Sequence, residues 1–94
     1  MAMIKAIIVE NSPLVRQALE NIFRSQFPSI ELVETANGKN ASGKIETFHP
    51  EIILIDIQLP EGKSLELARA IRARHPEVII IMLSSHDAPE YRKK

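Results

Sequence analysis

The 94-residue sequence contains no cysteine, so it offers neither disulfides nor thiolate metal ligands, which is typical of a reducing compartment. Neither charge sign is in excess, because 12 basic side chains balance 12 acidic ones, whereas nucleic-acid and anionic-membrane surfaces need a basic excess. Its longest apolar runs, 52–55 and 78–83, are far too short to span a bilayer. We therefore expect a cytoplasmic protein without membrane or direct nucleic-acid contact.

Two further patterns are missing. The first residues lack the architecture of a signal peptide, and no glycine-rich loop that could cradle a nucleotide phosphate is present. What remains is enough chain for one small domain, with 45% hydrophobic residues to build its core.

Three continuous apolar segments, 4–9, 52–57 and 78–83, predict buried strands. A fourth segment, 30–35, mixes apolar residues with glutamates and suits a half-exposed edge strand. Strands of the first type are covered by helices on both faces, as in parallel sheets.

Helical patterns separate these strands. Ser12-Pro13 is a start signal for an amphipathic helix from Leu14 to Phe27. A weaker helical pattern follows Asn37-Gly38, which we interpret as a turn. A third pattern begins near Ser64, and residues 88–94 open a fourth helix. Repeated strand–helix units predict an α/β, doubly wound parallel sheet.

Polar residues lie at the predicted carboxyl ends of the strands, where open α/β sheets place their sites. Glu10 and Asn11 follow the first strand, Asp56 lies within the end of the third, and Ser84 and Ser85 follow the fourth. Clustered oxygen ligands suit a hard cation such as Mg²⁺. Two structural interpretations remain open: Asp56 caps the loop that follows it, and the Glu10–Asn11 pair caps the helix starting near Ser12.

Three segments carry a resemblance to a known family. Residues 7–19, Ile-Ile-Val-Glu-Asn-Ser-Pro-Leu-Val-Arg-Gln-Ala-Leu, resemble the first strand and helix of response-regulator receiver domains, especially receivers attached to helix-turn-helix transcription regulators. Residues 50–60 are similar to the phospho-acceptor strand and the loop after it, and residues 82–85 to the strand end that carries the switch Ser or Thr. The resemblance extends over essentially the whole chain.

This resemblance implies two-component signal transduction. Asp56 would accept a phosphoryl group from a histidine kinase or phosphotransfer protein. Glu10, Asn11, Asp56 and the backbone carbonyl of Gln58 would hold Mg²⁺, and Ser84 would bind the phosphoryl group. The protein would then be a signalling domain and not an enzyme.

The sequence departs from the family pattern in several places. Asn11 replaces a second acid, which should weaken metal binding, and Ser64 stands where glycine is common, offering a helix N-cap. Nothing matches the family's lysine and aromatic of the fifth strand, or its fifth helix. The resemblance therefore implies a flavodoxin-like receiver fold without its last strand and helix, with residues 1–94 incomplete at the C-terminus. We expect a second copy, swapped elements or a partner to cover the edge at 78–83 or the bare face of the sheet.

Two other functions remain open. A degenerate receiver would keep the fold without being phosphorylated and act as a protein-interaction or dimerisation module. A small metal-assisted hydrolase on the same scaffold would need a general base, for which His86 is the only candidate near a strand end. His49 and His75 each precede a proline at a helix end, where we predict structural roles.

Overall fold

The computed structural model describes residues 3–84. The predicted fourth helix at 88–94, Ser85 and His86 lie outside these residues. Strands and helices alternate along the described chain, with one 3₁₀ turn at Pro60–Gly62 before the last helix. The elements are β1 (Ile4–Val9), α1 (Pro13–Gln26), β2 (Ile30–Thr35), α2 (Gly38–Phe48), β3 (Ile52–Asp56), α3 (Ser64–Arg74) and β4 (Ile79–Leu83).

The four strands form one parallel sheet in the order β2-β1-β3-β4. This arrangement confirms the predicted doubly wound parallel sheet, with β1 and β3 inside it and β2 at an edge. The chain runs from β1 to β2 on one side of β1 and then crosses to β3 on its other side, so the strand order reverses between β1 and β3. That reversal creates the crevice at the carboxyl edge where ligands bind in such sheets.

The main core lies between the sheet and the pair α2 and α3. Ile7 and Val9 of β1 and Ile53 and Ile55 of β3 are fully buried there. Side chains from both helices close over them, namely Ala41, Ile45 and Ile71. Fully burying one such aliphatic side chain contributes about 1.5–3 kcal/mol, so this layer holds the two central strands in place.

The opposite face is covered by α1, whose Phe23 lines a small cleft with Ile30 and Leu32 of β2. The coverage is incomplete, because no side chain of α1 is buried and Leu14 is 82% exposed. The apolar stripe predicted for this helix is therefore wider than the surface it meets. At the far end of the same face, Ile79 and Ile81 of β4 are exposed, and no helix within residues 3–84 covers them.

Helix ends follow local side-chain chemistry. Ser12 caps α1 as predicted, its Oγ accepting from Val15 N at 3.3 Å. Asn37 caps α2 in the same way, its Oδ1 accepting from Asn40 N at 2.8 Å, so the interpretation of Asn37-Gly38 as only a turn was too narrow. A Cβ on Gly38 would lie 3.2 Å from a methyl of Leu67, which shows how closely α2 approaches α3.

The two histidines lie at helix ends, as predicted. His49 is the C-cap of α2 in the left-handed conformation, with φ of 54°. His75 is the C-cap of α3, and its Nε2 lies 3.3 Å from Oε2 of Glu46. Among residues 3–84, no helix is long and apolar enough to cross a membrane.

Candidate functional site

Two buried carboxylates mark the carboxyl edge of the sheet. Glu10 directly follows β1 and is 2% exposed, and Asp56 ends β3 and is 3% exposed. Glu10 stays tied to the neighbouring strand, because its N–H donates to Thr35 O at 3.0 Å. The sheet therefore brings together the two acids that the sequence analysis selected.

Backbone N–H groups orient both carboxylates. Ser12 N donates to Glu10 Oε2 at 3.0 Å, and Gln58 N donates to Asp56 Oδ1 at 3.0 Å. The bond at Asp56 is an Asx turn, in which the side chain accepts from the N–H two residues later, and the Glu10 carboxylate accepts at the same spacing. Each side chain is thereby fixed against its own loop. Oδ1 of Asp56 therefore caps the loop that follows, as the structural interpretation predicts. The carboxylate still lies at the edge of the sheet.

The surroundings of Glu10 disfavour the ionised form of its carboxyl. Burial raises the pKa of its carboxyl above the usual range, and the charge of Asp56 and a hydrogen bond shared with it raise it further. The Ser12 N–H and the Arg16 guanidinium act in the opposite direction but do not outweigh burial. Glu10 Oε1 is buried and receives no protein hydrogen bond. Two adjacent desolvated carboxylates of this kind would be stabilised by a cation between them.

The donor set fits a hard divalent cation. Among residues 3–84 there is no cluster of three or more His, Cys, Asp or Glu side chains suited to a metal, so the site has only two carboxylates. Asn11 and Gln58 flank them, both exposed. Mg²⁺ accepts amide and backbone carbonyl oxygens and keeps several waters, so it does not need a third acid. The buried Glu10 Oε1, which accepts no hydrogen bond, is an oxygen that such an ion could bind.

Ser84 lies at the same edge. It directly follows Leu83, the register partner of Asp56, and Ile57 N donates to Leu83 O at 2.8 Å. Ser84 is exposed. The sheet therefore places the predicted switch serine one residue beyond the strand position paired with Asp56.

Ser64 has a role that differs from its predicted N-cap. Lys63 occupies the cap position of α3, without a side-chain hydrogen bond, and Ser64 is the first helical residue. The buried Ser64 Oγ donates to Asp56 O at 2.5 Å and accepts from Leu59 N at 3.2 Å. Because its hydroxyl is used inside the loop, it is not available to cap the helix.

Arg16 is a site neighbour that the sequence analysis did not single out. Its Nη1 donates to Glu10 O at 2.8 Å and to Asn11 O at 3.2 Å. The signal in the sequence is an arginine in the first turn of the helix that follows the strand-end acid. A long side chain at that place reaches back to the carbonyls where the strand ends.

Comparison with known proteins identifies the class. Residues 6–94 match the family model of the response regulator receiver domain, so the chain belongs to this family. It is 32% identical over 89 residues to the transcriptional regulatory protein DegU of Brevibacillus brevis, covering 94% of this chain and 37% of that protein. It is 39% identical over 79 residues to protein-glutamate methylesterase/protein-glutamine glutaminase 2 of Oleidesulfovibrio alaskensis, covering 83% of this chain and 22% of that protein.

Solved structures show the same fold. The isolated receiver domain of RcsB from Salmonella enterica serovar Typhimurium, determined with the phosphomimetic BeF₃⁻, superposes with a TM-score of 0.79 at 17% identity, over 97% of this chain and 68% of that one. TrrA from Thermotoga maritima, in complex with Mg²⁺-BeF, gives a TM-score of 0.80 at 25% identity, over 98% and 76% of the two chains. The flavodoxin-like receiver fold predicted from the resemblance is confirmed.

The comparisons correct one prediction. The chain spans only 22–37% of the length of the curated relatives it matches. Several of them, 33–39% identical, are protein-glutamate methylesterases/protein-glutamine glutaminases. The receiver family therefore occurs within enzymes as well as within transcriptional regulators. The prediction that the protein is not an enzyme is wrong, because membership of this family does not exclude an enzyme.

Proposed function

We propose that this receiver domain responds to phosphorylation, with Asp56 accepting a phosphoryl group from a histidine kinase or phosphotransfer protein. One observation carries the proposal: the buried carboxylate of Asp56 ends a central strand beside the equally buried Glu10. A carboxylate that is desolvated and oriented by a backbone N–H is prepared for nucleophilic attack without first reorganising water.

In the proposed reaction a carboxylate oxygen of Asp56 bonds to phosphorus, in line with the phosphorus–nitrogen bond of the donor phosphohistidine. That bond breaks, and the donor imidazole keeps the electron pair and takes up a proton. Phosphoryl transfer of this type depends on positioning and on neutralising the phosphoryl oxygens more than on covalent help from the protein. The N–H of Gln58 at Asp56 Oδ1 and the link from Ser64 to Asp56 O supply the positioning.

Glu10, Asp56, Asn11 and the carbonyl of Gln58 would hold the divalent cation. When bound, Mg²⁺ supplies positive charge that neutralises the phosphoryl oxygens. The Glu10 carboxyl supports this assignment in two ways. Its Oε1 is buried without a hydrogen bond, and burial raises its pKa because the ionised form is desolvated. A cation bound at Oε1 would stabilise the ionised carboxylate. The Mg²⁺-BeF complex of the related TrrA receiver supports it as well.

Ser84 would donate its hydroxyl to the phosphoryl group from the end of β4. This bond would favour one position of the chain that follows β4, and a partner protein would bind one position better than the other. We further propose a cytoplasmic location. Self-association through the exposed edge of β4 stays a prediction.

Intact-mass spectrometry after incubation with acetyl phosphate and Mg²⁺ tests the proposal. We expect wild-type protein to gain the mass of one phosphoryl group, and Asp56→Asn to gain none. Glu51→Gln, a matched change of an exposed acid next to β3, should label like the wild type. Labelling that survives Asp56→Asn would contradict the assignment. A folded wild type that is never labelled, by acetyl phosphate or by a phosphohistidine donor, would instead favour the degenerate receiver that the Asn11 replacement suggests.

A further inference from the structure

Arg16 contacts the backbone of both residues through which the chain leaves β1. Its Nη1 donates to the carbonyl of Glu10 at 2.8 Å and to that of Asn11 at 3.2 Å. The same two residues carry candidate ligands of the cation site. The guanidinium therefore holds the segment that presents these ligands through its backbone carbonyls.

The other side of the guanidinium is anchored on a different strand. Arg16 Nε lies 3.6 Å from Glu34 Oε1, and both side chains are mostly buried, at 21% and 27% exposed. Glu34 belongs to β2 and is the register partner of Ile8 in β1. One side chain of α1 thus connects the end of β1 to the neighbouring edge strand.

We propose that Arg16 is a positioning residue for the divalent-cation site, fixing the backbone of Glu10 and Asn11 so that their side-chain oxygens remain placed beside Asp56. This inference rests on the proposed function. Hydrogen bonds to both carbonyls restrict the peptide planes on either side of Asn11, and the Ser12 N–H bond to Glu10 Oε2 restricts the neighbouring side chain. Ligands ordered before binding lose less entropy when the ion arrives.

Charge alone predicts the opposite effect. A guanidinium close to a cation site repels the incoming ion, so removing it should strengthen metal binding if electrostatics were its only influence. Loss of partners that orient metal ligands weakens affinity about 10–100-fold in known metal sites. The two explanations therefore differ in sign, and a metal titration of charge-removing variants separates them.

The experiment titrates Mg²⁺ into wild type, Arg16→Met, Arg16→Lys and Glu34→Gln, with Arg24→Met as the control. Arg24 is also on α1, and it pairs with Glu20 at 3.0 Å in an exposed position. We expect affinity to fall about tenfold in Arg16→Met. Arg16→Lys and Glu34→Gln should fall less, because each keeps part of the link between the carbonyls and β2. Arg24→Met should bind at least as tightly as the wild type.

A second readout does not depend on metal. In the metal-free protein, NMR amide exchange at Ser12 should be faster in Arg16→Met than in wild type, and unchanged in Arg24→Met. Equal or tighter Mg²⁺ binding by a folded Arg16→Met, with Ser12 exchange unchanged, would overturn the inference while leaving the proposed function intact. A wild type that binds no divalent cation would overturn the proposed cation site itself. If Arg16→Met does not fold by circular dichroism, Arg16→Lys, which keeps the positive charge, decides by the same two measurements.

Discussion

Ser64 Oγ donates a hydrogen bond to the main-chain carbonyl of Asp56 at 2.5 Å, across eight positions of sequence. The same hydroxyl accepts from Leu59 N at 3.2 Å, so one buried side chain closes the whole loop between β3 and α3. The loop also contains Gln58, whose N–H orients the Asp56 carboxylate. A side-chain hydrogen bond therefore connects the first turn of α3 to the backbone of Asp56, the candidate phospho-acceptor.

Replacing Ser64 with alanine should destabilise the protein and loosen the site. The variant removes the hydrogen bond that Ser64 donates to Asp56 O and the acceptor of the buried Leu59 N–H, and an unsatisfied buried group costs about 1–3 kcal/mol. We expect a lower urea midpoint and slower phosphoryl uptake at Asp56. Ser42→Ala, at an exposed serine of α2, is the matched control and should lower neither the urea midpoint nor the rate of uptake. A wild-type urea midpoint in Ser64→Ala would show that the two hydrogen bonds contribute little.

Replacing Asn11 with aspartate should strengthen Mg²⁺ binding. Asn11 is exposed, so an added carboxylate carries little desolvation cost. Two unit charges about 4 Å apart interact by roughly 1 kcal/mol in water, so a carboxylate at that distance from a divalent ion gains roughly 2 kcal/mol, or about thirtyfold in affinity. Isothermal titration of both proteins checks this, with Asn21→Asp in the middle of α1 as the control. Equal affinities for wild type and Asn11→Asp would mean that this side chain does not face the ion.

Glu34 should make stability depend on pH. Burial, followed by the negative charge of Glu20 and a hydrogen bond with it, raises the pKa of the Glu34 carboxyl, and Arg16 and Arg24 lower it by less. An acid whose pKa is raised in the folded state binds its proton more tightly there than in the unfolded chain. Its stabilising contribution is complete below the ordinary pKa of 4.5 and is lost as pH rises through the raised value.

The measurement compares urea unfolding of wild type and Glu34→Gln from pH 4 to pH 7. Stability of the wild type relative to the variant should decrease as the pH rises above about 4.5, because only the wild type must ionise a desolvated carboxyl. A relative stability that increases over this interval would mean that the Arg16 pairing outweighs burial. Glu31→Gln removes an exposed acid of the same strand and is the matched control.

Gly43 in the middle of α2 should be replaceable with a gain in stability. A Cβ at this position meets no atom within 4 Å, and glycine inside a helix costs about 0.5–1 kcal/mol relative to alanine. Gly43→Ala should therefore unfold at a higher urea concentration. Gly38→Ala should gain less, because its Cβ would push the Leu67 methyl that lies 3.2 Å away. An equal gain for both would indicate that Leu67 moves aside freely.

The fold follows closely from the sequence because its signals are strong. Continuous apolar runs with helical segments between them can bury themselves only in a parallel sheet covered on both faces. The placement of Glu10 and Asp56 at one edge of the sheet was predictable for a related reason, since the carboxyl ends of parallel strands meet at the same edge. The strand ends differ from the prediction by one residue, at Asp56 and at Ile79.

The contacts of Ser64 and Arg16 were not predictable in this way. Both depend on which backbone carbonyl a side chain reaches across a loop, and sequence spacing alone does not determine that. The Ser64 hydroxyl had two competing uses, a helix cap and a loop link, and only tertiary packing decides between them. Leu14 illustrates the same limit, because its spacing fits the apolar stripe of α1 and yet its side chain is exposed.

The two acids end the interior strands β1 and β3, each of which pairs on both sides. In native proteins, interior strands open least often, whereas edge strands and peripheral helices undergo local unfolding at much lower free energy. Fluctuations that detach β2 or α1 would therefore leave Asp56 on its intact strand. We expect amide exchange to be slowest at Ile7 and Ile55, so that Asp56, the candidate phospho-acceptor, belongs to the last cooperative unit to unfold.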